Sequence, residues 1–188
     1  MKQKAYPFSV MLAMTALLIT VDQVSKCLAQ AFLSENDGIA LLPGVFHLQY
    51  LENRGAAFGI LGHMQWLFIL FALAISIPGI VLLKRLSRMS AHYRLLQLAV
   101  SLLTAGALGN LIDRLFRHYV IDFLYFKLID FPIFNVADIC VCLGCGALVL
   151  LLLFFYNDED YDRIRGQKTH SDWLEEIRDT IEKEKGKK

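Results

Sequence analysis

Residues 66–83, WLFILFALAISIPGIVLL, run for 18 positions without a charge and end against Lys84 and Arg85. An apolar run of about 18 or more residues is long enough to cross a bilayer as a helix. Lipid offers no partner for a free backbone amide, so a helix is also the form such a segment must take there. Three further segments have the same character: one from about Pro7 to Leu33, one at Leu95–Ile112, and one opening near Asn135, within which Ile139–Tyr156 is again free of charge. The expected fold is therefore an all-α membrane protein, with spans at about 7–33, 66–83, 95–112 and 135–156 in a domain covering 1–156. A charged tail follows at 157–188. The composition agrees, since 56% of the 188 residues are hydrophobic, against roughly 45–50% in soluble domains.

Lys2 and Lys4 precede the first apolar run, as in a secretory leader, but the continuation Val21-Asp22-Gln23-Val24-Ser25-Lys26 lacks a small-x-small cleavage site. A retained helix is expected. Orientation follows from Lys and Arg in the short loops. The 83–94 connection carries Lys84, Arg85, Arg88 and Arg94, whereas the 34–65 loop carries only Arg54. That places 83–94 and both termini in the cytoplasm and the 34–65 and 113–134 loops outside, although Arg114, Arg117 and Lys127 run against the bias. In the first of these loops Phe46, Leu48 and Tyr50 alternate with His47 and Gln49, the two-residue period of a strand, so a small extracytoplasmic β-containing segment is expected.

The tail mixes 8 Lys/Arg with 10 Asp/Glu, which excludes a basic nucleic-acid arm. Its Trp173, Leu174, Ile177 and Ile181 fall at helical spacing, which fits an amphipathic helix or a disordered tail. Cys27, Cys140, Cys142 and Cys145 sit among apolar residues. Cys142 and Cys145 form a C-x-x-C without a second pair or a nearby His, short of the roughly four ligands zinc takes, and the four read as small core side chains.

Ionisable residues in a span cost at least about 2.5 kcal/mol each, so their presence needs a reason. Asp22 and Lys26 lie four apart on one helical face. Asn110, Asp113 and Arg114 share a face at the end of the third span, Asp122 follows in the connection, and Asn135 and Asp138 open the fourth span. Each has a plain alternative. Asp22–Lys26 can be an intrahelical ion pair, Asn135 and Asp138 a helix cap, and Asp113–Arg114 an interfacial anchor, while Gly106 and Gly109 read as close-packing positions. These alternatives leave one fact untouched: all of the polar residues fall at the same, outward depth.

No Ser, Cys or His nucleophile fits that level. His47, His63 and His118 are outward but sit in no recognisable motif, and there is no phosphate loop or His/Glu metal motif. What remains is carboxylates. Two aspartates sharing a proton can activate a water and protonate a leaving amine, one ionised and the other neutral. Asp138 suits the ionised role because a helix N-terminus favours an anion. From the residues alone, Asp113 and Asp122 are rivals for the other.

The segments Asp22–Lys26 (DQVSK), Asn53–Phe58 (NRGAAF), Gly106–Arg114 (GALGNLIDR), Val120–Phe123 (VIDF) and Phe134–Asp138 (FNVAD) resemble, in order, the motifs of the bacterial lipoprotein signal peptidases, signal peptidase II. The resemblance covers about residues 10–156 and leaves the tail aside. It implies an aspartic endopeptidase of the bacterial inner membrane that cuts prolipoproteins before a diacylglyceryl-cysteine. It implies Asp122 and Asp138 as the catalytic pair, with Asp22, Lys26, Asn53, Gly55, Asn110, Asp113, Arg114 and Asn135 lining or bracing the substrate site. Arg54 stands at a position that varies in the family and is given no role. No metal or other cofactor is implied, the partners are the lipidated substrate and membrane lipid, and a monomer suffices.

The rival class is a small transporter or channel, in which polar residues would mark a path through the bilayer. The cytoplasmic halves of the second and fourth spans carry no charge, which argues against one. A non-catalytic lipid-binding scaffold is the other rival; it would tolerate Asp138→Asn.

Overall fold

A computed structural model describes residues 4–55 and 65–185; Lys2, His63 and the Ala56–Phe58 part of the Asn53–Phe58 motif lie outside the described residues. The chain divides into two compact units, Met1–Leu148 and Val149–Lys188.

Among the described residues four helices are long and apolar enough to cross a membrane: α1 (Phe8–Leu33), α2 (Gln65–Leu86), α3 (Arg94–Phe116) and α4 (Val136–Phe154). Their apolar windows are buried very unequally, 61% for the third against 17% for each of the others. The hub is therefore α3, and the other three are far less enclosed by the rest of the chain. Small residues allow the close approach that packing in lipid relies on. A Cβ added at Gly106 of α3 would fall 2.3 Å from the Ala137 carbonyl oxygen of α4, and one at Gly144 of α4 would fall 2.6 Å from the Leu103 nitrogen of α3. The helical positions of Gly106 and Gly109 are thus packing positions, as their spacing in the sequence implies.

The alternation at 45–51 marks one strand of a larger antiparallel sheet, ordered β1 (Ile39–Leu42), β2 (Phe46–Asn53), β3 (Val120–Tyr125). Ile121 and Phe123 pack with Ala29 and Leu33 of α1, with Leu48 and Tyr50 beside them, so the sheet rests on the C-terminal end of α1. The periodicity reveals β2 alone for a physical reason. The first four residues of β3 are all buried, so no polar face alternates with an apolar one, and all four residues of β1 are exposed. Asp122, read from sequence as part of a connection, belongs to β3. Its partner across the ladder is Leu51, and Val120 faces Asn53, which puts Asn53 and Asp122 diagonally on one face. Leu124 then pairs with Phe134 in an isolated bridge, returning the chain to β3 as α4 begins.

At the other end of these helices the buried Gln97 grips the backbone of Tyr6, accepting from its N–H at 2.9 Å and donating to its carbonyl at 3.0 Å. Arg94 donates to the Lys4 carbonyl at 2.8 Å.

The second unit takes in the last turns of α4 and two short helices, α5 (Asp158–Arg165) and α6 (His170–Lys185). Asn157 caps α5 reciprocally with Asp160, and Gly166 ends it with φ of +80°, the left-handed stop that glycine supplies. The Tyr161 hydroxyl donates to the Leu152 carbonyl. The tail spacing resolves as a helix, with Trp173, Leu174, Ile177 and Ile181 exposed along α6.

Candidate active site

The polar residues of the spans converge. Lys26 is fully buried, and its ammonium meets Asp22 at 2.8 Å, Asp113 at 2.9 Å and the Asn110 side-chain oxygen at 2.9 Å. A lysine has three donors, and all three are used, as a cation held inside apolar surroundings requires. The Asp22 carboxylate also accepts the Ala137 N–H at 2.8 Å, one of the amides a helix start leaves without an internal partner. Asp113 accepts from Arg117 at 2.5 Å and from the Ile121 N–H at 3.3 Å. Lys26 and its two aspartates thus tie α1, α3, the start of α4 and the start of β3 together.

A second layer of hydrogen bonds leads from that cluster to the remaining two aspartates. Asn110 donates to Asp138 at 2.8 Å. Asn135 caps α4: its side-chain oxygen accepts the Asp138 N–H at 2.9 Å while its own N–H donates back to Asp138 at 3.1 Å. Its side-chain amide donates to Asp122 at 2.6 Å and to the Asn110 oxygen at 3.1 Å. Asn53 donates to the other Asp122 oxygen at 2.8 Å and accepts the Gly55 N–H at 3.0 Å. The plain helix-cap reading of Asn135 and Asp138 therefore holds, and the capping Asn135 also reaches Asp122. The ion pair Asp22–Lys26 is likewise both intrahelical and part of the cluster.

Asp122 and Asp138 line one cavity of about 740 Å³, together with Asn53, Gly55, Asn110 and Arg114. Asp113, the rival in the residue-level reading, does not line it. Asp113 is 0% exposed and bonded on both oxygens, so its charge serves Lys26, Arg117 and the start of β3. Arg114, read from the sequence with Asp113 as an interfacial anchor of the third span, turns to other partners for its nearest contacts. That guanidinium donates to the Asn110 carbonyl at 3.1 Å and lies 5.0 Å over the Phe68 ring. Burial, and after it the charge of Asp138, push the Asp122 carboxyl up from 3.8 to about 7; the hydrogen bonds from Asn53 and Asn135 and the Lys26 charge oppose the rise.

Two residues escaped the sequence reading. Gln23 donates to Asp22 at 3.1 Å, to the Gly109 carbonyl at 3.1 Å and to Asp113 at 3.2 Å, and Arg117 donates back to it at 3.1 Å. The available signal was their place beside Asp22 and one turn beyond Asp113. The cysteine reading needs correcting: Cys140 is buried, but Cys27, Cys142 and Cys145 are exposed, with Cys142 on the cavity wall. Apolar neighbours in the sequence do not separate a lipid-facing side from a packed one.

Four apolar helices around a buried polar cluster and a carboxylate-lined cavity define an integral membrane protein of the multi-pass class. The family model for signal peptidase II matches residues 14–154. A lipoprotein signal peptidase of Symbiobacterium thermophilum is 44% identical over 147 residues, 77% of this chain and 93% of that protein. One of Brevibacillus brevis is 42% identical over 135 residues, 72% of this chain and 89% of the relative. A solved bacterial membrane enzyme, determined by the in meso method at 2.3 Å, superposes with a TM-score of 0.70 at 30% identity, covering 81% of this chain and 92% of that one. The chain belongs to the signal peptidase II family, and it is a membrane peptidase.

Proposed function

We propose that this chain removes signal peptides from lipid-modified prolipoproteins as an aspartic endopeptidase, cutting before the diacylglyceryl-cysteine with Asp122 and Asp138 as its catalytic pair. The observation that carries the reading is that these two carboxylates, from β3 and from the first turn of α4, share one cavity and both accept hydrogen bonds from Asn135, Asp122 from its side-chain amide and Asp138 from its backbone N–H. Asp130 also touches the cavity, from an exposed loop at its rim.

In the proposed reaction a water lies between the two carboxyls. Asp138, whose oxygens accept hydrogen bonds from Asn110 and from the Asn135 N–H, takes a proton as the water oxygen attacks the scissile carbonyl carbon. Asp122, which holds the shared proton near neutral pH, gives it to the carbonyl oxygen. Collapse of the tetrahedral diol returns that proton to Asp122 and sends the one on Asp138 to the departing amine, so the pair ends as it began. Assigning the proton this way follows the environments, since a coupled pair titrates as a unit. Arg114, Asn53 and Gly55 line the substrate site, while Asp22, Lys26, Asn110, Asp113 and Asn135 brace it.

The distribution of Lys and Arg supports a site at the outer face of the membrane. The connection carrying Lys84, Arg85, Arg88 and Arg94 lies at the opposite end of α2 and α3 from Asp122, and such loops stay in the cytoplasm. A lipid-anchored cysteine has its scissile bond near the lipid–water boundary, which suits a cavity lined by the first turn of a span and by the sheet beside it.

The test is cleavage of a lipidated prolipoprotein peptide in detergent. Asp122→Asn and Asp138→Asn should each lower turnover by at least about a thousandfold while the protein accumulates and inserts normally; full activity in either variant would remove the pair. Asp113→Asn should act on thermal stability first.

A further inference from the structure

The cavity has two ends. One is lined by Ile139 and Leu143 within the apolar helix α4; the other is lined by the 129–134 loop that follows β3. A substrate whose signal segment occupies the first end and whose scissile bond lies at Asp122 and Asp138 must bring its next residues past the loop. That reasoning rests on the substrate proposed above.

The loop carries a carboxylate that the reaction does not use. Asp130 is exposed, lines the cavity and sits in the left-handed region at φ +48°, a conformation uncommon outside glycine that Asp tolerates better than most residues. It is held there on several sides. The Tyr125 hydroxyl donates to its Oδ1 at 2.5 Å, its own N–H donates to the Lys127 carbonyl at 3.2 Å, and the Phe131 N–H donates to the Phe126 carbonyl at 3.1 Å. The rings of Phe126 and Phe131 close on Phe134, at 5.7 and 5.8 Å between centroids. Among the described residues Oδ2 of Asp130 has no hydrogen-bond partner. The cations nearest in the chain are accounted for: Lys127 does not line the cavity, and Arg114 lines it but lies against Phe68. The result is an anion fixed in position, with one oxygen open, on the path of the residues that leave the site.

We infer that Asp130 is a specificity-determining residue that receives a basic side chain of the substrate within two residues after the lipidated cysteine. An exposed charge contact is modest in water, so the effect is a preference and not a requirement.

The experiment compares lipopeptides that differ only in carrying Lys, Ser or Glu at the first or second position after the cysteine. The wild-type chain should cleave the Lys peptide about fivefold better than the Glu peptide in kcat/KM at one of the two positions, with the ratio shrinking in about 0.5 M salt. Asp130→Asn, which keeps an acceptor for Tyr125 and tolerates the same backbone, should bring the ratio close to one. Cleavage with no Lys-over-Glu preference at either position, or a preference that survives Asp130→Asn, overturns the role of Asp130. Failure to cleave any of the peptides overturns the substrate reading on which it rests.

Discussion

At the scale of single residues the site depends on where each carboxylate finds its donors. Asp113 and Asp122 are both buried, but Asp113 is matched by two cations while Asp122 has only side-chain amides. The proton on Asp122 is therefore the one to follow with pH. Its folded value of about 7 lies above its ordinary 3.8, so its contribution to stability is complete below the lower value and is lost as pH rises through the upper one. The thermal midpoint in detergent should fall between about pH 4 and about pH 7 and level off above that, and Asp122→Asn should flatten that fall. Turnover has the same sign: if Asp122 donates the shared proton, kcat/KM declines above about pH 7. The sequence placed these residues at one depth but left Asp113 and Asp122 as rivals. The distinction lies in Lys26 and Arg117 turning toward Asp113, a matter of packing between helices distant in the chain that no spacing rule contains. Asn135 and Asp138 were legible because a helix cap is local.

At the scale of elements, the four spans were readable because lipid rewards length and the absence of charge, which are one-dimensional properties. The order of burial among them was not, since α1, α2 and α3 are all apolar and only α3 is enclosed. The sheet was partly readable. Its half-exposed strand alternates, whereas Val120–Phe123 is buried on both faces and so looks in sequence like any apolar run. The α3–α4 contact positions Asn110 against Asp138, and it is set by Gly106. The Ala137 carbonyl in the way of an added methyl is backbone and cannot rotate aside. Gly106→Ala should destabilise the protein by about 1–3 kcal/mol, seen as a lower thermal midpoint, and should reduce turnover beyond the loss of folded protein because the asparagine bridge moves.

At the scale of the whole molecule, the family model ends at residue 154 and the relatives cover about three quarters of the chain, so the charged tail lies outside what the family shares. A chain ending at Tyr156 and carrying a fluorescent protein that matures only in the cytoplasm should insert, fluoresce and cleave lipopeptide within about twofold of the full chain. A dark or inactive product would contradict the proposed orientation or the independence of the tail. The buried lysine also bears on how the protein is made. Asp113 lies 87 residues beyond Lys26, which at 5–20 residues per second is a wait of roughly 4–17 s on the ribosome. Asp22 bridges that interval. Because it sits one turn from Lys26 on α1 itself, the first span can partition into lipid with its cation already neutralised, and the third span later adds a tertiary pairing to the local one. A chain lacking Asp22 would have to deliver a bare ammonium to the bilayer before its second partner had been synthesised, so this aspartate belongs to the protein's biogenesis as much as to its finished site.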